Sequence, residues 1–211
     1  MNELLSSILP SATNMIRLDH THVMSTFHQF KPSAPARVQQ GLANTICTAL
    51  EVHAQLEEEI FYPAVRHVLQ DKTIDESETE HQEMKRLIAQ LRGLQPDDPA
   101  FAETLYELMR DVLHHVADEE TIVLPAAERQ MPEQLGELGA RMTRRRLELV
   151  VPRTGELALD MGRAASGNTV AMAVVAASAM GLVWAMRGRR PQGDLASAAS
   201  AATSAWRRAQ R

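Results

Sequence analysis

Two stretches decide how this chain folds: His53–Pro63, HAQLEEEIFYP, and His115–Pro125, HVADEETIVLP. Each has a histidine followed four residues later by a glutamate, a second glutamate after that, and a proline ten residues from the start. All four positions are displaced by 62. Residues four apart share one face of a helix, so each stretch puts an imidazole and a carboxylate side by side. In both cases that face is the apolar one.

The apolar spacing extends outward from these stretches. Phe101, Leu105, Leu108, Val112, His115, Glu119 and Ile122 step by four and three in alternation, as do Ile46, Leu50, His53, Glu57, Ile60 and Ala64. An earlier stripe reads Ile16, His20, Val23, Phe27 and Phe30, and an intermediate one Ile74, Ser77, His81, Met84, Ile88 and Leu91. Every inward stripe therefore carries a histidine. His20 recurs as His81, displaced by 61, so the whole pattern is a helical hairpin repeated once. Breaks at KPSAP, at Asp71–Ser77 and at LQPDDP, where Asp98 suits an N-cap and Pro99 the first helical position, divide the first 130 residues into four helices. Pro125 is expected to bend or end the fourth. Short connections favour antiparallel neighbours, so the expected fold is all-α: an up-down-up-down four-helix bundle over residues 1–130 with additional C-terminal helices.

Composition agrees with this and narrows the function. The 211 residues are 45% hydrophobic but only 4% aromatic, with 10 Gly and 10 Pro, which suits helices better than a sandwich or barrel. The single cysteine, Cys47, excludes an internal disulfide and thiolate metal sites and is expected to pack as a small apolar residue. The first residues, MNELLSSILP, lack the basic start and long apolar run of a signal peptide, so a cytoplasmic location is expected. Residues 1–140 hold 10 Lys and Arg against 23 Asp and Glu, whereas residues 141–211 hold 12 Arg against 4 acids. An acidic first part argues against a nucleic-acid groove there, and no nucleic-acid partner is expected.

Four histidines and two glutamates in an apolar seam are costly unless something satisfies them. Metal ions do so. Imidazole with carboxylate suits iron, manganese or zinc, and the lack of thiolates argues against structural zinc and iron–sulfur sites. Six ligands in two symmetric halves suggest two ions, with Glu57 and Glu119 each able to bridge them. The plainer alternative is a set of satisfied core histidines in a structural bundle. His22, His28 and His114 lie off the seam, and His67 extends it toward the rim. Glu58 and Glu120 repeat as well and are candidates to orient ligand imidazoles. Tyr62 and Tyr106 could supply a phenol ligand or a hydrogen-bond donor, but read chiefly as packing residues.

This constellation resembles the hemerythrin-like HHE cation-binding family through His20 in RLDH, His53–Pro63, His81 in ETEHQEM and His115–Pro125. The resemblance covers about residues 10–130. It implies a four-helix bundle with a non-haem di-iron centre, two iron ions held by His20, His53, Glu57, His81, His115 and Glu119. The oxygen-carrying members place a second histidine one turn after the third-helix histidine; here that residue is Lys85. The pattern H, HxxxE, H, HxxxE is closer to a bacterial subgroup linked with peroxide decomposition and redox stress, and in part to iron-responsive eukaryotic domains. The expectation is a catalase- or peroxidase-like di-iron protein acting on peroxide or a related small oxidant, with a non-enzymatic iron, oxygen or nitric oxide sensor or reservoir as the alternative.

Residues 131–165 are expected as a helical connector containing Arg144, Arg145 and Arg146, followed by an Ala-rich apolar helix over 166–190 and an Arg-containing tail over 191–211. Thr169–Met186 is uncharged, and 18 residues at about 1.5 Å each reach roughly 27 Å, just short of a bilayer core. Small residues at Ala173, Ala177 and Gly181 suit a membrane helix that self-associates. The rival is an Ala-rich helix packed in a homo-oligomer or on the bundle.

Overall fold

The computed structural model describes residues 9–69 and 71–164, which fall within one compact unit. Among these residues there are helices and turns and no strand. α1 spans Ala12–Phe27, with Ser11 capping it by accepting from Asn14 N at 3.3 Å. α2 spans Ala36–Leu56, passes through a π-helical turn at Glu57–Phe61 and continues as α3, Tyr62–Val65. α4 is Asp71–Arg92. α5 is Pro99–Asp118, capped by Asp98 Oδ1 accepting from Ala100 N at 2.9 Å; a second π-helical turn, Glu119–Val123, leads into α6, Leu124–Gln130. α7, Leu135–Val150, and α8, Thr154–Ala164, complete the described chain.

Burial along each helix establishes the topology. The core divides into two apolar clusters, one holding Ile16, Ile60, Ile74 and Val123, the other Val23, Leu50, Met84 and Val112. α1 and α4 run from the first cluster to the second, and the α2 and α5 rods run the opposite way. That is the up-down-up-down bundle. Between the clusters every rod contributes one histidine, and two add a glutamate, so a polar layer crosses the bundle at a single level.

The π-helical turns explain where the apolar spacing fails. Pro63 and Pro125 have no N–H to donate, and in a regular helix their rings would press on the carbonyl four residues back. The backbone widens instead: Tyr62 N–H donates to Glu57 O and Leu124 N–H to Glu119 O, each five residues back. Pro125 therefore neither ends nor breaks the fourth rod, which reaches Gln130. The extra residue rotates everything after it by about 100°. Val65 and Val123 are consequently buried where the alternation places Ala64 and Ile122, and Ile122 is 49% exposed.

The 131–164 stretch is helical and packs against the α1–α2 side. Leu135, Leu138 and Met142 of α7 enter the first cluster, Ala164 borders the second, and α8 lies along α2. Two glycines permit this closeness. A Cβ on Gly139 would lie 2.2 Å from Pro10 O, and one on Gly41 would lie 2.7 Å from Asp160 O and Ala164 N. Gly139→Ala must push backbone away from backbone, so the substitution is expected to cost about 1–3 kcal/mol, the usual range for overpacking. The check is a lower urea midpoint with an unchanged slope. No helix among the described residues is long and apolar enough to cross a membrane. The candidate span Thr169–Met186 and the tail lie outside them.

Candidate metal centre

The polar layer brings all six expected side chains together, each at most 4% exposed. Two ligand groups form. His53, Glu57, His81 and His115 offer ligand atoms all within 4.8 Å of one another, and so do His20, His53, Glu57 and Glu119. His53 and Glu57 belong to both. Glu57 Oε2 lies 3.2 Å from His53 Nε2 and 3.3 Å from His81 Nε2, while Glu119 Oε2 lies 3.2 Å from His20 Nε2 and 3.9 Å from His115 Nε2. The two glutamates are thus not equivalent: Glu57 is shared between the groups, and Glu119 belongs to one.

Each imidazole turns its other nitrogen outward to a carboxylate. His20 Nδ1 lies 2.8 Å from Glu120, His81 Nδ1 3.1 Å from Glu58, His115 Nδ1 2.9 Å from Glu80, and His53 Nδ1 3.5 Å from Asp19. Such pairing fixes ring orientation and leaves Nε2 to face the interior. The twofold relation is complete in this outer ring. The acids preceding His20 and His81 serve the histidines of the HxxxE segments, and the acids following Glu57 and Glu119 serve His81 and His20. The repeat of Glu58 and Glu120 signalled half of this ring. Asp19 and Glu80 carry the same signal, an acid directly before a repeated histidine, and had no assigned role in the sequence.

The electrostatics of the layer call for positive charge. Two inner and four outer carboxylates gather there, while two side-chain cations, Lys85 on Glu58 and Arg146 on Asp19, reach the outer acids. Burial disfavours ionised Glu57, and the neighbouring Glu119 charge adds to this, so its carboxyl is held well above the usual range. Burial also opposes the charged forms of His20 and Glu119, but their mutual contact outweighs it. His20 is raised to about 9 and Glu119 lowered to about 2. Burial pushes His53 down to about 4 despite Asp19. Even with these adjustments Glu57 Oε1 has no hydrogen-bond partner, and His20 Nε2 and Glu119 Oε2, although 3.2 Å apart, are not aligned as a hydrogen bond. Buried polar atoms normally have partners, and three ill-satisfied atoms converging on one layer fit cations of nitrogen and oxygen preference. Cys47 lies apart, buried in the second apolar cluster, with burial pushing its thiol up to about 12.

The family model for the hemerythrin HHE cation binding domain matches residues 11–127, more than half of the chain. The chain belongs to this family. A protein of Nostoc sp. (strain PCC 7120) described as a DNA nickase is 33% identical over 113 residues, 54% of this chain and 32% of the relative. The chain thus spans about a third of the length of that curated relative. A crystal structure of a hemerythrin HHE cation binding domain-containing protein from Mycobacterium kansasii superposes with a TM-score of 0.61 at 19% identity, over 71% of this chain and 93% of the other. That likeness speaks for the fold.

Within this hemerythrin domain, Lys85 holds the outer ring: its Nζ donates to both oxygens of Glu58, at 2.7 and 2.6 Å. Tyr62 takes the hydrogen-bond donor role rather than packing alone. It is fully buried, and its hydroxyl lies 3.3 Å from both Glu57 Oε2 and Glu119 Oε1, one proton placed between the two inner carboxylates. Tyr106 is 41% exposed and packs edge-on against Phe27 and Phe30. His28, His67 and His114 are exposed and His22 is half-buried, all outside the two ligand groups. On the side away from Tyr62, a narrow cavity of about 10 Å³, room for roughly one water, reaches the histidines between Val23, Leu50, Met84, Ile88 and Val112.

Proposed function

We propose that the hemerythrin domain holds two iron ions and decomposes hydrogen peroxide or a related small oxidant. The carrying observation is the convergence of two ligand groups on one shared carboxylate, with an outer carboxylate behind every histidine. His20, His53, His81 and His115 would hold the ions through Nε2, and Glu57 and Glu119 through their carboxylates. Bound as a pair, the irons would supply two-electron chemistry, which is what reducing one peroxide to water while oxidising a second to dioxygen demands. The protein's own part is to position and to shield. The outer carboxylates lock the imidazole rings. The Tyr62 hydroxyl keeps one proton at the inner carboxylates. Val23, Leu50, Met84 and Val112 narrow the cavity, with Asp19 and Lys85 also in its lining, so only small molecules reach the histidines.

The second reading is a sensor or reservoir that binds iron, oxygen or nitric oxide without turnover. It draws on the same buried site, whose narrow cavity suits a diatomic as well. Adding hydrogen peroxide to the iron-loaded protein separates the two. Sustained oxygen evolution, lost in His115→Ala, is the expected result; one stoichiometric spectral change with no further oxygen release would favour the sensor. Metal analysis of protein purified without an affinity tag checks the ions directly, with two irons per chain expected. Nicking is not carried over from the cyanobacterial relative, because residues 1–140 hold more than twice as many acids as bases and offer phosphates little to bind.

A further inference from the structure

One side chain of α7, beyond the residues the family model covers, reaches the outer ring of the metal centre. Arg146 Nη1 donates to Asp19 Oδ1 at 2.6 Å and Nη2 donates to Asp19 Oδ2, the oxygen that lies 3.5 Å from His53 Nδ1. Asp19 is the most buried acid of the ring, its side chain 16% exposed against 25–37% for Glu58, Glu80 and Glu120. His53, in turn, is the histidine common to both ligand groups. A two-point guanidinium clamp fixes the plane of a carboxylate as well as its position, which an ammonium does not. The arginine holds this fork even though its own Nε is buried without a partner.

We propose that Arg146 is a positioning residue of the metal centre: by clamping Asp19 it sets the ring of His53, so that α7 completes a site whose ligands all lie in the four bundle rods. Released from the fork, Asp19 can turn toward solvent, and His53 loses the partner that holds its Nε2 toward both groups. Arg145, the preceding residue, provides the contrast. It pairs with Glu59 on the exposed face of α2's π-helical turn and touches none of the outer acids that face a histidine.

The proposal rests on the metal-binding reading, and one titration keeps the two apart. Wild-type, R146A, R146K and R145A proteins are titrated with Co(II), following the dissociation constant and the visible ligand-field spectrum, with circular dichroism melts alongside. R146A is expected to bind about 10-fold more weakly, the low end for loss of an outer partner, with displaced bands. R146K should fall between R146A and wild type, and R145A should titrate as wild type does. A wild-type constant and spectrum in R146A would overturn the proposal. So would an equal loss in R145A, which would assign the effect to docking of α7 as a whole. If R146A fails to fold, R146K decides: wild-type affinity and bands there overturn the clamp. A wild-type chain that takes up no Co(II) overturns the metal reading itself.

Discussion

Loading the metal-free chain with Fe(II) or Co(II) is expected to raise its thermal midpoint by about 10 °C. A ligand that binds only the folded state stabilises it according to its excess over the dissociation constant, about 4 kcal/mol at a thousandfold excess. For a chain of this size each kcal/mol moves the midpoint by roughly 2–4 °C. The effect is large because of what the cation replaces. Glu57 and Glu119 are fully buried beside each other, three of the layer's polar atoms make no hydrogen bond, and proton shifts alone balance the inner charge. Differential scanning calorimetry with and without a chelator checks it. An unchanged midpoint across a millimolar range of cation would leave the layer as a set of core histidines and remove the basis of the functional reading.

Replacing Glu57 with Met is expected to separate stability from binding. The metal-free variant should melt at or above the wild-type temperature, while cation affinity falls by more than the 10–100-fold that follows loss of an outer partner. The sign follows from the environment. Glu57 Oε1 is an orphan at zero exposure, and burial together with the neighbouring Glu119 charge holds its carboxyl well above the usual range. A buried acceptor left without a partner costs about 1–3 kcal/mol, and an apolar side chain of similar volume removes that cost while Tyr62 keeps Glu119 as its acceptor. The same carboxylate belongs to both ligand groups, so neither keeps its full donor set without it. Isothermal titration alongside thermal melts tests both halves. A variant that is both less stable and still cation-binding would show that Glu57 acts through structure alone.

Much of this centre was legible because the 62-residue repeat duplicates both spacing and face, and a duplicated polar pair on a buried seam has few physical explanations. His20 and His81, alone on their helices, were legible through the same symmetry. Three features escape it for identifiable reasons. The alternation of fours and threes assumes a regular helix, and the proline that follows each glutamate widens the turn, so Ile122 and Ala64 were placed inward where Val123 and Val65 belong. Arg146 could not be assigned from sequence, since its partner Asp19 lies 127 residues earlier and the pairing exists only once α7 docks. The donor role of Tyr62 cannot be chosen over packing from sequence, because a tyrosine beside a proline on an apolar helix carries no mark of which way its hydroxyl aims.

The paired π-helical turns divide each carboxylate-bearing rod at the glutamate itself. The segment before the break delivers the histidine of the polar layer, the break opens on its glutamate, and the segment after it anchors the opposite end. Removing a single amino acid from either break would cancel the one-residue widening and leave Val65 or Val123 facing the interior, but the restored regular spiral would press the proline ring on the carbonyl four residues back. The wide turn therefore supplies the slack that lets a proline sit one turn beyond each buried glutamate without breaking the rod.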